Sequence, residues 1–222
     1  MSDLAIPQAS LFLGIIPALI LMYISLKGFE GHYKDKNIFL TFILGIVAGF
    51  ISALIEIFSI SIGLLYIILF PILEQLFKTI ILNVGRLQKK KETVIYGLSL
   101  GLGFGAIFTP VSIIISNLQI GDDPILFALA IVGSFGMIMF HGATGVLIGY
   151  GVYIGKLAKY LIFSILLYLP ITFFTFLTLY YGVGYLQISF VVYGLIIYWY
   201  ATKKIMPQIL EKSKKRKRIK RN

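Results

Sequence analysis

The chain has 222 residues, of which 59% are hydrophobic and only 13% charged, and it carries a net charge of +11. A water-soluble globule of this size needs more polar surface, so the composition favours a chain whose solvent is lipid. The sequence has no cysteine, which excludes a disulfide framework, a thiolate metal site and a cysteine nucleophile.

Seven apolar segments in chain order are each close to the roughly 20 residues that a helix needs to cross a membrane. They predict helices over residues 6–26, 38–58, 62–82, 94–116, 125–154, 160–181 and 186–202. The first segment lacks the basic start and the cleavage site of a secretory signal, so we interpret it as a retained helix. We therefore expect an all-α polytopic membrane protein, with a seven-helix transmembrane domain over residues 1–202 and a basic tail over residues 203–222.

The basic residues predict the orientation of these helices. Of the 20 Lys and Arg, all except Lys78 lie in segments on one side of the predicted bundle. The loops after the first, third and fifth helices contribute Lys27, Lys34, Lys36, Arg86, Lys89, Lys90, Lys91, Lys156 and Lys159. The opposite side is neutral or acidic, with Asp122 and Asp123 before the fifth helix. Because short basic loops stay in the cytoplasm, we expect the N-terminus outside and the C-terminus in the cytoplasm, in the plasma membrane of a prokaryote.

The tail ends in the basic run KSKKRKRIKRN over residues 212–222. Such runs occur in nucleic-acid-binding and nuclear-targeting segments. A basic run directly after a last membrane helix is more typical of a segment that binds anionic lipid headgroups. We therefore expect membrane lipids as partners of the tail, and no nucleic acid.

A few ionisable residues fall at membrane depth, where each costs roughly 2.5 to 3.5 kcal/mol to insert. Glu74 and Lys78 lie one turn apart in the third helix, and His141 lies midway along the fifth. This cost predicts that they face the bundle interior. Two interpretations stay open: a polar site shared by Glu74 and His141, or a self-neutralising Glu74–Lys78 ion pair beside a packing histidine. Glu56, at the outer end of the second helix, can reach the interface, which favours a structural role.

The fourth and fifth predicted helices carry stripes of glycine, which let neighbouring backbones approach closely in a membrane. Pro110 predicts a kink after the first stripe, and Thr144 follows His141 by three residues, where its hydroxyl can join the site or bond back to its own helix. The glycines that we expect to mediate helix packing are Gly97, Gly101, Gly103, Gly105, Gly145 and Gly149.

Three motifs follow one another: LEQLFK with Glu74 and Lys78, YGLSLGLGFG with Gly103 and Phe104, and FHGATG with His141 and Thr144. In this order they resemble the PrsW-like branch of the superfamily of CAAX proteases and bacteriocin-processing enzymes. The resemblance implies a glutamic intramembrane endopeptidase that cleaves membrane proteins. It matches catalytic residues to Glu74 and His141, and supporting residues to Lys78 and Thr144. The chain departs from the pattern at Gln75 and Phe108, where the family has acids; Gln75 can supply only hydrogen bonds.

The chain is also similar to the anterior-pharynx-defective scaffold subunit of gamma-secretase, which shares that superfamily fold without the acid pair. This resemblance lies in the register of Gly97, Gly101 and Gly105, in the histidine of the fifth helix and in the segment TFLTLYYG. The second membrane histidine of that family falls at about Tyr168. The resemblance implies a non-catalytic protein that binds transmembrane helices.

Three functions therefore remain open. In an endopeptidase Glu74 activates water as a base and His141 polarises the scissile carbonyl. In a scaffold the same fold binds transmembrane partners, and in a small transporter Glu74, Lys78 and His141 form a proton relay. We expect no cofactor and no metal, because two good ligands fall short of the three protein ligands that a catalytic zinc normally takes.

Overall fold

The structure, a computed structural model, describes residues 5–107, 110–111 and 124–210. These residues form seven helices and no strand, which confirms the all-α prediction. The helices are α1 (Ala5–Leu26), α2 (Asp35–Ser59), α3 (Leu65–Leu82), α4 (Glu92–Ala106), α5 (Pro124–Ile154), α6 (Leu157–Tyr181) and α7 (Gln187–Tyr200).

Most predicted ends lie within three residues of the observed ones, because the long apolar runs stop at polar or glycine-containing loops. Gly182 ends α6 in the left-handed conformation at φ 67°, and its N–H donates to the Thr178 carbonyl. Beyond α7 the chain continues as the π-helix Ala201–Ile205, past the predicted domain boundary at residue 202. The predicted end of the fourth helix at residue 116, the residues Asp122 and Asp123 and the basic run 212–222 lie outside the described residues.

Four segments are long and apolar enough to cross a membrane: Asp35–Glu56, Leu65–Leu82, Ile131–Ile154 and Leu157–Thr178. Phe12–Leu26 is a shorter apolar helix. Large apolar side chains also cover the outside of the bundle, as a lipid-facing surface requires. Examples are Phe39, Ile80, Ile125, Leu166 and Ile196, each at least half exposed. Length, composition and surface are thus compatible with a membrane protein.

Helix α4 is the centre of the bundle, since every residue from Thr93 to Ala106 is buried. Its most extensive contact is with α5, and the glycines make that contact possible. A Cβ on Gly97 would overlap the Gly145 carbonyl oxygen, and a Cβ on Gly145 would overlap the carbonyl oxygen of Gly97. The two backbones are therefore in direct contact, as in other small-residue interfaces between membrane helices.

The opposite side of α4 packs against α2 in the same way. A Cβ on Gly103 would overlap the Phe42 carbonyl of α2. In return, Cβ atoms on Gly45 and Gly49 of α2 would overlap the backbone of α4 at Leu100 and Phe104. Since α4 has close backbone contacts on both sides, α2 and α5 are held at fixed positions around it. Helices α3 and α6 pack against each other beside this three-helix layer.

Candidate functional site

The polar centre of the bundle begins on α3. Glu74, Gln75 and Lys78 lie on its inward face and are fully buried, while Leu76 and Ile80 on the outward face are exposed. The one-turn spacing of Glu74 and Lys78 places both on the same side of the helix. Helix α5 supplies His141 and Thr144, which are also fully buried. The structure thus brings together the five predicted catalytic and supporting residues.

Lys78 is directed at α5. Its Nζ lies 2.8 Å from His141 Nδ1 and donates a hydrogen bond to Thr144 Oγ1 at 3.0 Å. It also donates to Gln75 Oε1 at 3.4 Å and lies 4.7 Å from the centre of the Phe104 ring. Glu74 lies farther from Nζ than a direct ion pair allows, so the interpretation as a self-contained Glu74–Lys78 pair does not describe this geometry. The cation of α3 instead joins α3 to α5.

The carboxylate of Glu74 has two different environments. Oε1 accepts a hydrogen bond from Ser52 Oγ of α2 at 2.7 Å. Oε2 lies 3.9 Å from His141 Nε2 and has no hydrogen-bond partner among the described residues. The hydroxyl of Tyr168 on α6 also interacts with this carboxylate. Oε2 is therefore the oxygen directed at the histidine, at a separation that one water molecule can bridge.

The contact of His141 with Lys78 determines which ring nitrogen of the imidazole carries the proton. A charged Lys78 can only donate, so Nδ1 of a neutral imidazole must accept, and the ring proton then lies on Nε2. That nitrogen lies 3.9 Å from Glu74 Oε2. The arrangement therefore offers a carboxylate acceptor beside an imidazole donor, with the donor's tautomer set by the lysine.

Aromatic rings enclose these polar groups. The ring of His141 has its centre 5.0 Å from Phe104, 5.7 Å from Phe140 and 5.5 Å from Tyr168. Tyr168, which takes the place of the second histidine in the scaffold resemblance, is itself buried. Few water molecules can enter such a site, so the effective dielectric constant is low and each charge interaction is stronger than in water.

Glu56 of α2 belongs to the same region, against the sequence-based expectation that it reaches the interface. It is buried, accepts a hydrogen bond from the Tyr66 hydroxyl and interacts electrostatically with Glu74. The prediction was wrong because the end of α2 packs against α3, so a position near this helix end is buried. The spacing of Ser52 and Glu56 was the missed signal: residues four apart share one helix face.

The packing glycines fix the position of His141 relative to α4. A Cβ on Gly101 would overlap the His141 carbonyl oxygen, and a Cβ on Gly105 would lie 2.7 Å from the Ile138 Cα atom. Gly149 meets the backbone of Thr93 near the other end of the contact. The main chain that carries the histidine therefore rests directly on the main chain of α4, so the backbone of His141 cannot move away without separating the helices.

The described residues contain no group of three His, Cys, Asp or Glu side chains with the spacing of a metal site. Glu74, His141 and Glu56 are the side chains of this region that can ligate a metal, but they do not form such a group. The cation of Lys78 next to His141 Nδ1 also opposes a second cation electrostatically. The residues present thus do not fit a protein-held metal.

No protein-family model, curated protein or solved structure matches this chain. The two family resemblances therefore depend on the motifs themselves, and the function has to be argued from the geometry.

Proposed function

We propose that this chain is a polytopic intramembrane endopeptidase of the glutamic type, with Glu74 as the base and His141 as the electrophilic partner. The observation that supports it best is the 3.9 Å separation of Glu74 Oε2 and His141 Nε2. A peptide hydrolase needs an acceptor for a water proton and a donor to the developing oxyanion, placed about one water molecule apart. Lys78 holds the histidine in place, and Gln75 and Thr144 hold the lysine.

The proposed reaction uses both groups in turn. Glu74 takes a proton from water while the water oxygen attacks the carbonyl carbon of the substrate. The N–H at His141 Nε2 donates to the carbonyl oxygen as it becomes negative. When the tetrahedral species collapses, the C–N bond breaks and Glu74 returns its proton to the amine nitrogen. The protease resemblance expects an acid at the position of Gln75. In this proposal Glu56, a second carboxylate near Glu74, replaces that acid as the electrostatic partner of the base.

A second function is favoured by the complete burial of Glu74 and His141. A residue that contacts substrate has to become accessible, so catalysis requires α3 to separate from α5 or from α2. If the helices stay packed, the polar contacts serve only to join α3, α5 and α2, and the protein is a non-catalytic scaffold that binds transmembrane helices. The joining role of Lys78 is the specific contact that supports this alternative.

We further propose seven membrane spans, with the N-terminus outside and the C-terminus in the cytoplasm of a prokaryotic cell. The distribution of Lys and Arg over the loops supports this orientation. Helices α4 and α7 are short for a span in their described parts, but α4 is buried on all sides and needs no lipid-facing length. The basic tail then lies at the cytoplasmic headgroups, where it binds anionic lipid.

The test is cleavage of membrane-spanning peptides by the purified full-length protein in detergent, read by mass spectrometry to locate each cleaved bond. We expect cleavage within the apolar segment, reduced at least about 100-fold by Glu74→Gln and by His141→Gln. The control is Glu30→Gln, which alters an exposed carboxylate of the α1–α2 loop and should leave cleavage unchanged. Peptides that crosslink to the wild-type protein but are never cleaved would overturn the endopeptidase proposal in favour of the scaffold.

A further inference from the structure

A cleft of about 990 Å³ lies at one end of the bundle, away from Glu74 and His141. It opens between the start of α2, the end of α3 and the start of α4. These are the ends that carry the basic loops, and the proposed orientation places them in the cytoplasm. The lining of the cleft includes Lys34, Leu40, Leu44, Ile80, Arg86 and Lys90.

The mouth of the cleft is positively charged. Its lining contains three cationic side chains, those of Lys34, Arg86 and Lys90, and one carboxylate, that of Glu92. The lining therefore has a surplus of two positive charges. A further cation lies next to it, because Lys91 Nζ is 3.0 Å from Nδ1 of the lining residue His32. The three lining cations are exposed. They are therefore free to contact an anion, and they come from two loops, since Lys34 precedes α2 while Arg86 and Lys90 lie between α3 and α4.

The polar floor of the cleft is built by Tyr96 of α4. Its hydroxyl accepts hydrogen bonds from the Lys34 backbone N–H at 3.3 Å and from Asn37 Nδ2 at 3.1 Å. These two bonds fix the turn that carries Lys34. The backbone position of Lys34 in the cleft is therefore preformed.

Apolar side chains continue the cleft along the helices. Leu40 and Leu44 of α2 and Ile80 of α3 are between 38% and 66% exposed. At a rise of about 1.5 Å per residue, Leu44 lies roughly 15 Å from Lys34 along α2. The surface therefore changes from cationic at the helix ends to aliphatic toward the bilayer interior, over a distance comparable to the upper part of an acyl chain.

We propose that this cleft is a binding site for an anionic phospholipid, which places its phosphate among Lys34, Arg86 and Lys90 and an acyl chain along Leu40, Leu44 and Ile80. The charge surplus selects an anionic headgroup, and the aliphatic wall explains why a lipid fits better than a soluble phosphate. Arg and Lys near a membrane surface each contribute about 1 kcal/mol to anionic lipid binding. The inference depends on the proposed membrane placement and not on proteolysis.

The experiment uses phosphatidylglycerol with a photoreactive acyl chain, crosslinked to the full-length protein in neutral detergent and mapped by peptide mass spectrometry. We expect adducts on the α2 and α3 segments that contain Leu44 and Ile80. The double variant Arg86→Gln/Lys90→Gln should lower their yield roughly 10- to 30-fold, as two charges of about 1 kcal/mol each predict. Lys156→Gln/Lys159→Gln removes two exposed charges at the start of α6 and should change the yield less than twofold.

Competition distinguishes the possible sources of the phosphate. Unlabelled phosphatidylglycerol should displace the probe, whereas phosphatidylcholine and inorganic phosphate at equal concentration should not. Equal losses in both double variants would mean diffuse attraction to the protein surface and would overturn the proposal. So would competition by inorganic phosphate as strong as that by the lipid. Because melting temperature and peptide cleavage are measured on the same preparations, failure of this site is distinguishable from misfolding and from failure of the proposed protease.

Discussion

Lys78 of α3 contacts His141 of α5 through a 2.8 Å distance between Nζ and Nδ1, although the two residues are 63 positions apart. The same ammonium donates to Thr144, one turn farther along α5. A single buried cation therefore sets the tautomer of the histidine and joins two helices. The stability of this part of the bundle and the chemistry of the candidate site depend on the same side chain.

The first prediction compares two ways of removing this contact. Lys78→Met keeps the length of the side chain but leaves His141 Nδ1 and Thr144 Oγ1 without their shared donor, and we expect the free energy of unfolding to fall by roughly 1 to 3 kcal/mol for each of these buried groups. Thr144→Val removes one acceptor of the lysine at constant shape and should cost about 1 kcal/mol. Denaturation of both variants in detergent measures the difference. Equal losses would mean that the lysine contributes no more than its bond to the threonine.

The second prediction concerns the contact of α4 with α5. Gly101→Ala places a methyl group on the His141 carbonyl, and we expect a loss of about 1 to 3 kcal/mol despite the better helix propensity of alanine. Gly85→Ala is the matched control, because a Cβ there meets no atom within 4 Å. The melting temperatures of the two variants in detergent provide the test. A loss as small for Gly101→Ala as for Gly85→Ala would show that the contact between the two helices accommodates a methyl group at little cost.

The third prediction tests the orientation. The chain has no cysteine, so a single introduced cysteine can be labelled without background. Lys159 and Tyr185 are exposed residues near the two ends of α6, a helix of 25 residues that is long enough to cross a bilayer. An impermeant reagent applied to intact cells should label Tyr185→Cys and leave Lys159→Cys unlabelled until the membrane is opened. Labelling of both before opening would refute the proposed topology.

The helices themselves were predictable from the sequence because the length of each apolar run sets the length of each helix. The meeting of Glu74 and His141 inside the bundle was predictable because each lies near the middle of an apolar run, and the structure places Glu74 Oε2 3.9 Å from His141 Nε2. The glycine register also indicated which face of α4 a neighbour would approach. These features depend on spacing along a helix, which a single sequence contains.

The rotation of each helix about its own axis was not predictable, and it decides which side chains meet. The Lys78 side chain turns toward His141 instead of Glu74, and the carboxylate takes its hydrogen bond from Ser52 of α2. Glu56 joins the region through Tyr66 for the same reason. Contacts between helices far apart in sequence depend on how all the faces pack together, and the length of an apolar run carries no information about that.

The fourth prediction uses Gln75, which stands where the protease resemblance expects an acid. Its Nε2 has no hydrogen-bond partner among the described residues, and its Oε1 lies 3.4 Å from Lys78 Nζ. Gln75→Glu therefore replaces an unsatisfied donor by a second oxygen beside a cation. We expect peptide cleavage to rise roughly tenfold, which corresponds to about 1.4 kcal/mol in the activation barrier.

Gln75→Leu is the control for this change, because it removes the same unsatisfied donor and adds no charge. It should leave the folded protein intact and should not raise cleavage. The measurement is the initial rate of cleavage of a membrane-spanning peptide, with the melting temperature of each variant recorded beside it. If Gln75→Glu folds normally and cleaves no faster than the wild-type protein, a second acid at this position does not assist Glu74. The carboxylate of Glu56 would then be the remaining acid close to the base, and Glu56→Gln should lower cleavage at an unchanged melting temperature.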